Sequence, residues 1–183
     1  MKPWKTLLKR TILDRGRFLK VEEHRVELHD GRVIPNWPWL VLPDFINVVA
    51  VTEDGRFVCF RQTKYAVEGA TLAPIGGYVE EGEDALDCAR RELREEAGYE
   101  ADEWRELASL AVDSNRGAGT AHFFLATGAR FVGHGESDDL EPQELLLLSR
   151  AGLEAAIDGG EVKSLPWLAV FLLALRVLDG AGR

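Results

Sequence analysis

Along the first fifty residues, apolar and polar side chains alternate more than they cycle. Phe18-Leu19-Lys20-Val21-Glu22-Glu23-His24-Arg25-Val26-Glu27-Leu28 has the period of two that marks a strand, and the following His29-Asp30-Gly31 reads as a hairpin turn. The return run from Val33 to Leu42 carries Pro35 and Pro38, with Pro43 just beyond. Proline donates no hydrogen bond to a ladder, so this strand is predicted at an edge or with irregular breaks. A second hairpin is predicted from Asn47 to Thr52 and from Arg56 to Gln62, around Glu53-Asp54-Gly55. The pattern then becomes helical from Asp84 to Ala97, with Asp84 placed to cap the N-terminus and Gly98 just past the C-terminus. Further strands are predicted over Glu106–Val112, Ala121–Ala126 and Glu144–Leu148, and helices over Ala151–Ile157 and Leu165–Leu178. Hairpins mixed with helices imply an α+β fold with helices packed on a curved mixed sheet.

Composition narrows the function. With 183 residues, 46% of them apolar, the chain suits one buried core, so a single domain over 1–183 is expected, with 1–45 as an N-terminal strand extension and 46–183 as the core. The net charge of −9 repels a phosphate backbone, which argues against nucleic acid as a partner. No apolar run approaches the roughly 20 residues that span a bilayer, and the start lacks a signal-peptide pattern. A cytoplasmic protein without a membrane partner is therefore expected. Cys59 and Cys88 lack metal-type spacing and read as small core residues.

The helical segment holds the candidate chemistry. At about 100° per residue, Leu86, Ala89, Leu93 and Ala97 form one apolar stripe that must face the core. Glu92, Glu95 and Glu96 fall on one flank, and Arg90 and Arg94 on the other. Glu92 and Glu96 repel at four-residue spacing, and acids near a helix C-terminus oppose its dipole. A solvated acidic face is one reading. The other is a bound hard cation, Mg2+ or Mn2+, which turns this repulsion into attraction. The preceding Gly76-Gly77 favours the second, because glycines let the backbone approach an ion or a phosphate closely.

From Gly77 to Tyr99 the spacing resembles the signature of the Nudix hydrolases: Gly77, five residues, Glu83, seven residues, then Arg91-Glu92-Leu93-Arg94-Glu95-Glu96-Ala97-Gly98-Tyr99. The one soft departure is Tyr99, where an aliphatic residue is commoner. The resemblance implies a Nudix-type α/β/α sandwich and metal-dependent cleavage of the pyrophosphate bond of a nucleoside diphosphate joined to another group. By the same resemblance Glu92, Glu95 and Glu96 are the metal ligands, with the Gly76 carbonyl as a further one. Gly77, Glu83, Arg91 and Gly98 are the structural positions, Arg91 and Glu83 forming an ion pair between loop and helix. Glu95 and Glu96 carry catalysis, together with a general base from a later loop, for which Glu144 is favoured over Glu141 because it begins an apolar strand.

Outside that signature, Arg61-Gln62-Thr63-Lys64-Tyr65 and Leu72-Ala73-Pro74-Ile75 look like the ADP-ribose and nucleotide-sugar pyrophosphatase branch. Lys64 stands where that branch usually has arginine, and Ala73 where it has glutamate. Lys64, Arg61 and Arg116 are the candidate substrate-binding cations, although Arg116 within its glycine-rich segment also reads as a plain turn residue. Trp37 and Trp39 suit either base stacking or apolar packing. The resemblance and the apolar N-terminal hairpin together imply a homodimer. ADP-ribose or another nucleotide sugar is the expected substrate, giving a nucleoside monophosphate and a sugar phosphate. The alternatives are an oxidised nucleoside triphosphate and a non-catalytic nucleotide sensor.

Overall fold

The computed structural model describes residues 2–133 and 142–181. Its strands are β1 (Lys5–Asp14), β2 (Lys20–Glu27), β3 (Val33–Val41), β4 (Phe45–Thr52), β5 (Phe57–Thr63), β6 (Ala70–Ala73), β7 (Ile75–Tyr78), β8 (Tyr99–Glu100), β9 (Glu103–Asp113), β10 (Gly117–Phe131) and β11 (Gln143–Leu148). The helices are α1 (Ala85–Ala97), α2 (Arg150–Asp158) and α3 (Leu165–Ala181). The chain divides into two compact units, one of Met1–Asp44 with Leu110–Ala121 and the other of Phe45–Ser109 with His122–Arg183.

In the first unit β1, β2 and β3 form an antiparallel meander. Strand β1 was not anticipated, and its side chains show why. Leu7-Leu8 and Ile12-Leu13 are adjacent apolar pairs, and the register of β1 on β2 slips between Thr6 and Leu8 and again between Thr11 and Leu13. Each bulge adds a residue and resets the alternation, so the period of two is erased from the sequence. The prolines of β3 act as expected: the β2–β3 register is interrupted opposite Pro35-Asn36, between His24↔Trp37 and Val26↔Ile34. The turn between β9 and β10 docks on the far side of β3, where Leu40 donates its N–H to Arg116 O at 2.8 Å and Gly117 pairs parallel with Leu40. Gly117 has φ 83°, and a Cβ there would lie 2.7 Å from the Trp39 ring, so only glycine fits.

The second unit is built on β4 and β5, the predicted hairpin, with Ala50 opposite Val58 and Val51 opposite Phe57. β7 pairs antiparallel with β4, while β6 and β11 pair antiparallel with β5. Alternation along β4 sends Ile46, Val48 and Ala50 into one cluster with Ala73, Ile75, Phe124 and the inner face of α1, namely Cys88, Ala89, Leu93 and Ala97. Both cysteines are fully buried, as their sequence context implies, and burial pushes the Cys59 thiol up to about 12. No helix among the described residues is long and apolar enough to cross a membrane.

Candidate active site

Helix α1 starts and stops where its capping residues dictate. Asp84 accepts the Leu86 N–H at 2.9 Å, and Gly98 ends the helix at φ 71°, giving its N–H to Arg94 O at 3.0 Å. A side chain at Gly98 would also collide with the backbone, since its Cβ would lie 1.8 Å from Gly133 O. With both ends set, the apolar stripe fixes the rotation of the helix and so aims the flank of Glu92 and Glu96 at β7.

Strand β7 presents the two glycines to opposite sides. Ile46, whose side chain lies in the α1 cluster, pairs with Gly77, and Asn47 pairs with Gly76. A Cβ on Gly77 would accordingly meet the Glu92 carboxylate at 2.1 Å, whereas one on Gly76 would meet Asn47 Nδ2 at 2.5 Å. The Gly76 N–H donates to Glu96 Oε2 at 3.2 Å, which ties strand to helix. Glu92 and Glu96 therefore both lie against the Gly76-Gly77 backbone, while Glu95 is exposed.

Arg91 organises the acids. Its Nε and Nη2 reach Glu83 Oε1 and Oε2 at 2.9 and 3.1 Å, a forked pair, while Nη1 reaches Glu92 Oε1 at 2.8 Å and Glu95 Oε2 at 3.0 Å. The guanidinium beside it, helped by the Glu80 N–H, holds the Glu83 carboxyl down at about 2. The acids in turn hold Arg91 well above the usual arginine range. Burial raises Glu92 above the usual carboxylate range, against the pull of Arg91. The loop is thus clamped to the helix by the Glu83–Arg91 pair, as the resemblance implies.

Glu92, Glu95 and Glu96 offer only carboxylate oxygens, the donor type that hard divalent cations take. Among the described residues, no three His, Cys, Asp or Glu side chains already converge on one point. The Arg91 guanidinium instead bonds two of the acids, Glu92 and Glu95, as well as Glu83. The three carboxylates, with the bare Gly77 backbone beside Glu92, are the oxygen donors that such a cation takes.

The remaining candidates are spread over the chain. Glu144 opens the predicted strand at β11, is exposed, and stands directly across from Arg61 on β5. Glu141 lies outside the described residues. Arg61 is ion-paired to Glu161 at 3.2 Å, and Lys64 follows β5 in a turn closed by Val67 N–H to Lys64 O. Arg116 sits in the first unit, where Asp113 holds both its side chain, at 2.9 Å, and its backbone N–H. That is the turn role. Trp37 donates to Asn115 O at 2.7 Å and meets Trp4 edge-on, while Trp39 stacks on the buried His24 at 5.1 Å. Sequence reasoning passed over Asn47, whose signal was a polar residue inside the apolar run Phe45–Val51.

Residues 43–170, well over half of the chain, match the NUDIX domain. The chain belongs to the Nudix hydrolase family. It is 30% identical over 113 residues to the methanol dehydrogenase activator of Bacillus methanolicus, a match that takes in 62% of this chain and 60% of the length of that protein. To the ADP-ribose pyrophosphatase of Bacillus subtilis it is 26% identical over 84% of this chain and 80% of the relative. The crystal structure of an ADP compounds hydrolase superposes with a TM-score of 0.81 at 21% identity, covering 100% of this chain and 98% of that one, which shows a shared fold.

Proposed function

We propose that this chain is a divalent-metal-dependent pyrophosphatase acting on a nucleoside diphosphate joined to a sugar, with ADP-ribose first among its substrates. The observation that carries this reading is the set of Glu92, Glu95 and Glu96 on one flank of α1, two of them against Gly76-Gly77. The likeness to the Bacillus subtilis ADP-ribose pyrophosphatase across most of both chains supports the substrate class.

In this reading Glu92, Glu95 and Glu96, with the Gly76 carbonyl, hold Mg2+ or Mn2+. When bound there, such an ion would supply positive charge against the diphosphate and acidify the attacking water. Arg91 and Glu83 clamp the loop after β7 to the helix, so the carboxylates stay aligned while substrate exchanges. Glu144, or Glu141, takes the proton of the water. Water oxygen bonds to one phosphorus, the bridging P–O bond breaks, and the bridging oxygen leaves on the other phosphate. ADP-ribose then gives AMP and ribose 5-phosphate. Lys64 and Arg61 serve as cations for the substrate phosphates, with Lys64 a point charge where arginine would offer a fork.

The first unit serves as the dimer element. Strand β1 is exposed along its whole length and displays Leu7, Leu8, Ile12 and Leu13, beside exposed Trp4 and Phe18. Apolar side chains on an edge strand favour burial against a second copy of the chain. The functional test is hydrolysis of ADP-ribose, UDP-glucose, GDP-mannose and oxidised dGTP under one magnesium condition, with products identified by mass. A higher kcat/KM for ADP-ribose is expected. Preference for the triphosphate overturns the substrate class, and no turnover of any of them favours a nucleotide sensor.

A further inference from the structure

Asn47 stands out from its strand. Its neighbours Ile46, Val48, Val49, Ala50 and Val51 are buried and apolar, and Asn47 is itself only 3% exposed. Its Oδ1 is buried with no hydrogen-bond partner among the described residues. A buried acceptor left unpaired destabilises a fold, and an apolar side chain of similar shape would remove that cost. Packing alone therefore does not account for an amide at this position. What the amide touches does: Nδ2 lies 2.5 Å from where a Cβ of Gly76 would sit, and Asn47 is the register partner of Gly76. On its other side the Gly76 N–H is held by Glu96.

We infer that Asn47 is a positioning residue for the active site, its flat carboxamide bracing the Gly76 peptide from behind so that the N–H stays on Glu96 and the carbonyl keeps its aim. The inference rests on the reading of Glu92, Glu95, Glu96 and Gly76 as the cation site. Glycine is the residue with the most backbone freedom, so its peptide plane holds still only when something outside it holds it. The end of the amide reaches the bare Cα of Gly76, with Nδ2 nearest to it. The branched tetrahedral end of leucine, of similar length, is wider and would push β7 aside, and alanine would leave the peptide unbraced.

The test measures Mn2+ affinity by the loss of the free-ion EPR signal, together with the melting midpoint, kcat and KM, on the wild-type chain, Asn47→Leu, Asn47→Ala and Glu96→Gln. Asn47→Leu is expected to stay folded, since loss of the unpaired acceptor offsets part of the strain of displacing β7, and to bind Mn2+ about 10- to 100-fold more weakly and lose kcat with KM nearly unchanged. Asn47→Ala is expected to lose Mn2+ affinity as well. A stable Asn47→Leu protein with wild-type Mn2+ affinity and kcat overturns the inference. If Glu96→Gln weakens Mn2+ binding and neither Asn47 variant does, the cation site stands and the role of Asn47 falls. If Glu96→Gln leaves Mn2+ binding unchanged, the cation site itself falls and takes the inference with it.

Discussion

Gly77 and Glu92 occupy each other's space: the carboxylate of Glu92 fills the volume that a Cβ on Gly77 would take, 2.1 Å from it. The glycine is needed here for close approach, since its φ is not in the left-handed region. Gly77→Ala must displace Glu92, because β7 is held in register on β4 and α1 is held by its core stripe. The expected result is a small loss of stability, because the carboxylate end of Glu92 can swing away, and a loss of turnover on the order of 100-fold. Urea unfolding and steady-state kinetics on ADP-ribose check both, and an unchanged kcat would show that Glu92 needs no fixed position.

Glu95→Gln separates charge from structure. Its side chain is 53% exposed and its partner is Arg91, which retains Glu83 and Glu92. Stability is expected to change by no more than about 0.5 kcal/mol, while turnover falls by orders of magnitude. A variant with near-native activity would remove Glu95 from the catalytic set.

Metal removal is expected to abolish activity reversibly. EDTA should stop hydrolysis, and added Mg2+ or Mn2+ should restore it, because the charge of the diphosphate has to be offset beside three carboxylates. Turnover that continues in excess chelator would exclude the mechanism.

The Glu83–Arg91 clamp makes stability depend on pH in a definite direction. Glu83 is held at about 2 against an ordinary value of 4.5, so its contribution is present above 4.5 and is lost as the pH falls toward 2. Glu83→Gln should therefore be less stable than wild type by about 2 kcal/mol at neutral pH. That gap should close progressively between pH 4.5 and 2. Denaturant melts of both proteins at pH 7 and pH 3 measure it, and a gap equal at both would place the stabilisation elsewhere.

Association through the first unit is expected to give a homodimer in sedimentation. Charged substitutions of Leu8 and Ile12, which are 61% and 54% exposed, should shift it to monomer without unfolding the chain. A monomer at every concentration would leave the apolar face of β1 to some other use.

Much of helix α1 was legible in the sequence because its information is local. The stripe from Leu86 to Ala97, the Asp84 cap, the Gly98 stop and the segregated acids all follow from a period of 3.6 and from capping chemistry, which need no partner. The hairpin of β4 and β5 was legible for the same reason. The tertiary structure decided what depends on pairing at a distance. Strand β1 is hidden in the sequence because its bulges erase the alternation, and only its register on β2 reveals it. That Gly76 and Gly77 serve opposite faces follows from their pairing with Asn47 and Ile46, residues about thirty positions away along the chain. The family resemblance implies Arg91 and Glu83 as a pair. Only packing divides the one guanidinium among Glu83, Glu92 and Glu95, because a strand side chain finds its neighbours through register and a helix side chain through rotation, and both are set by the core.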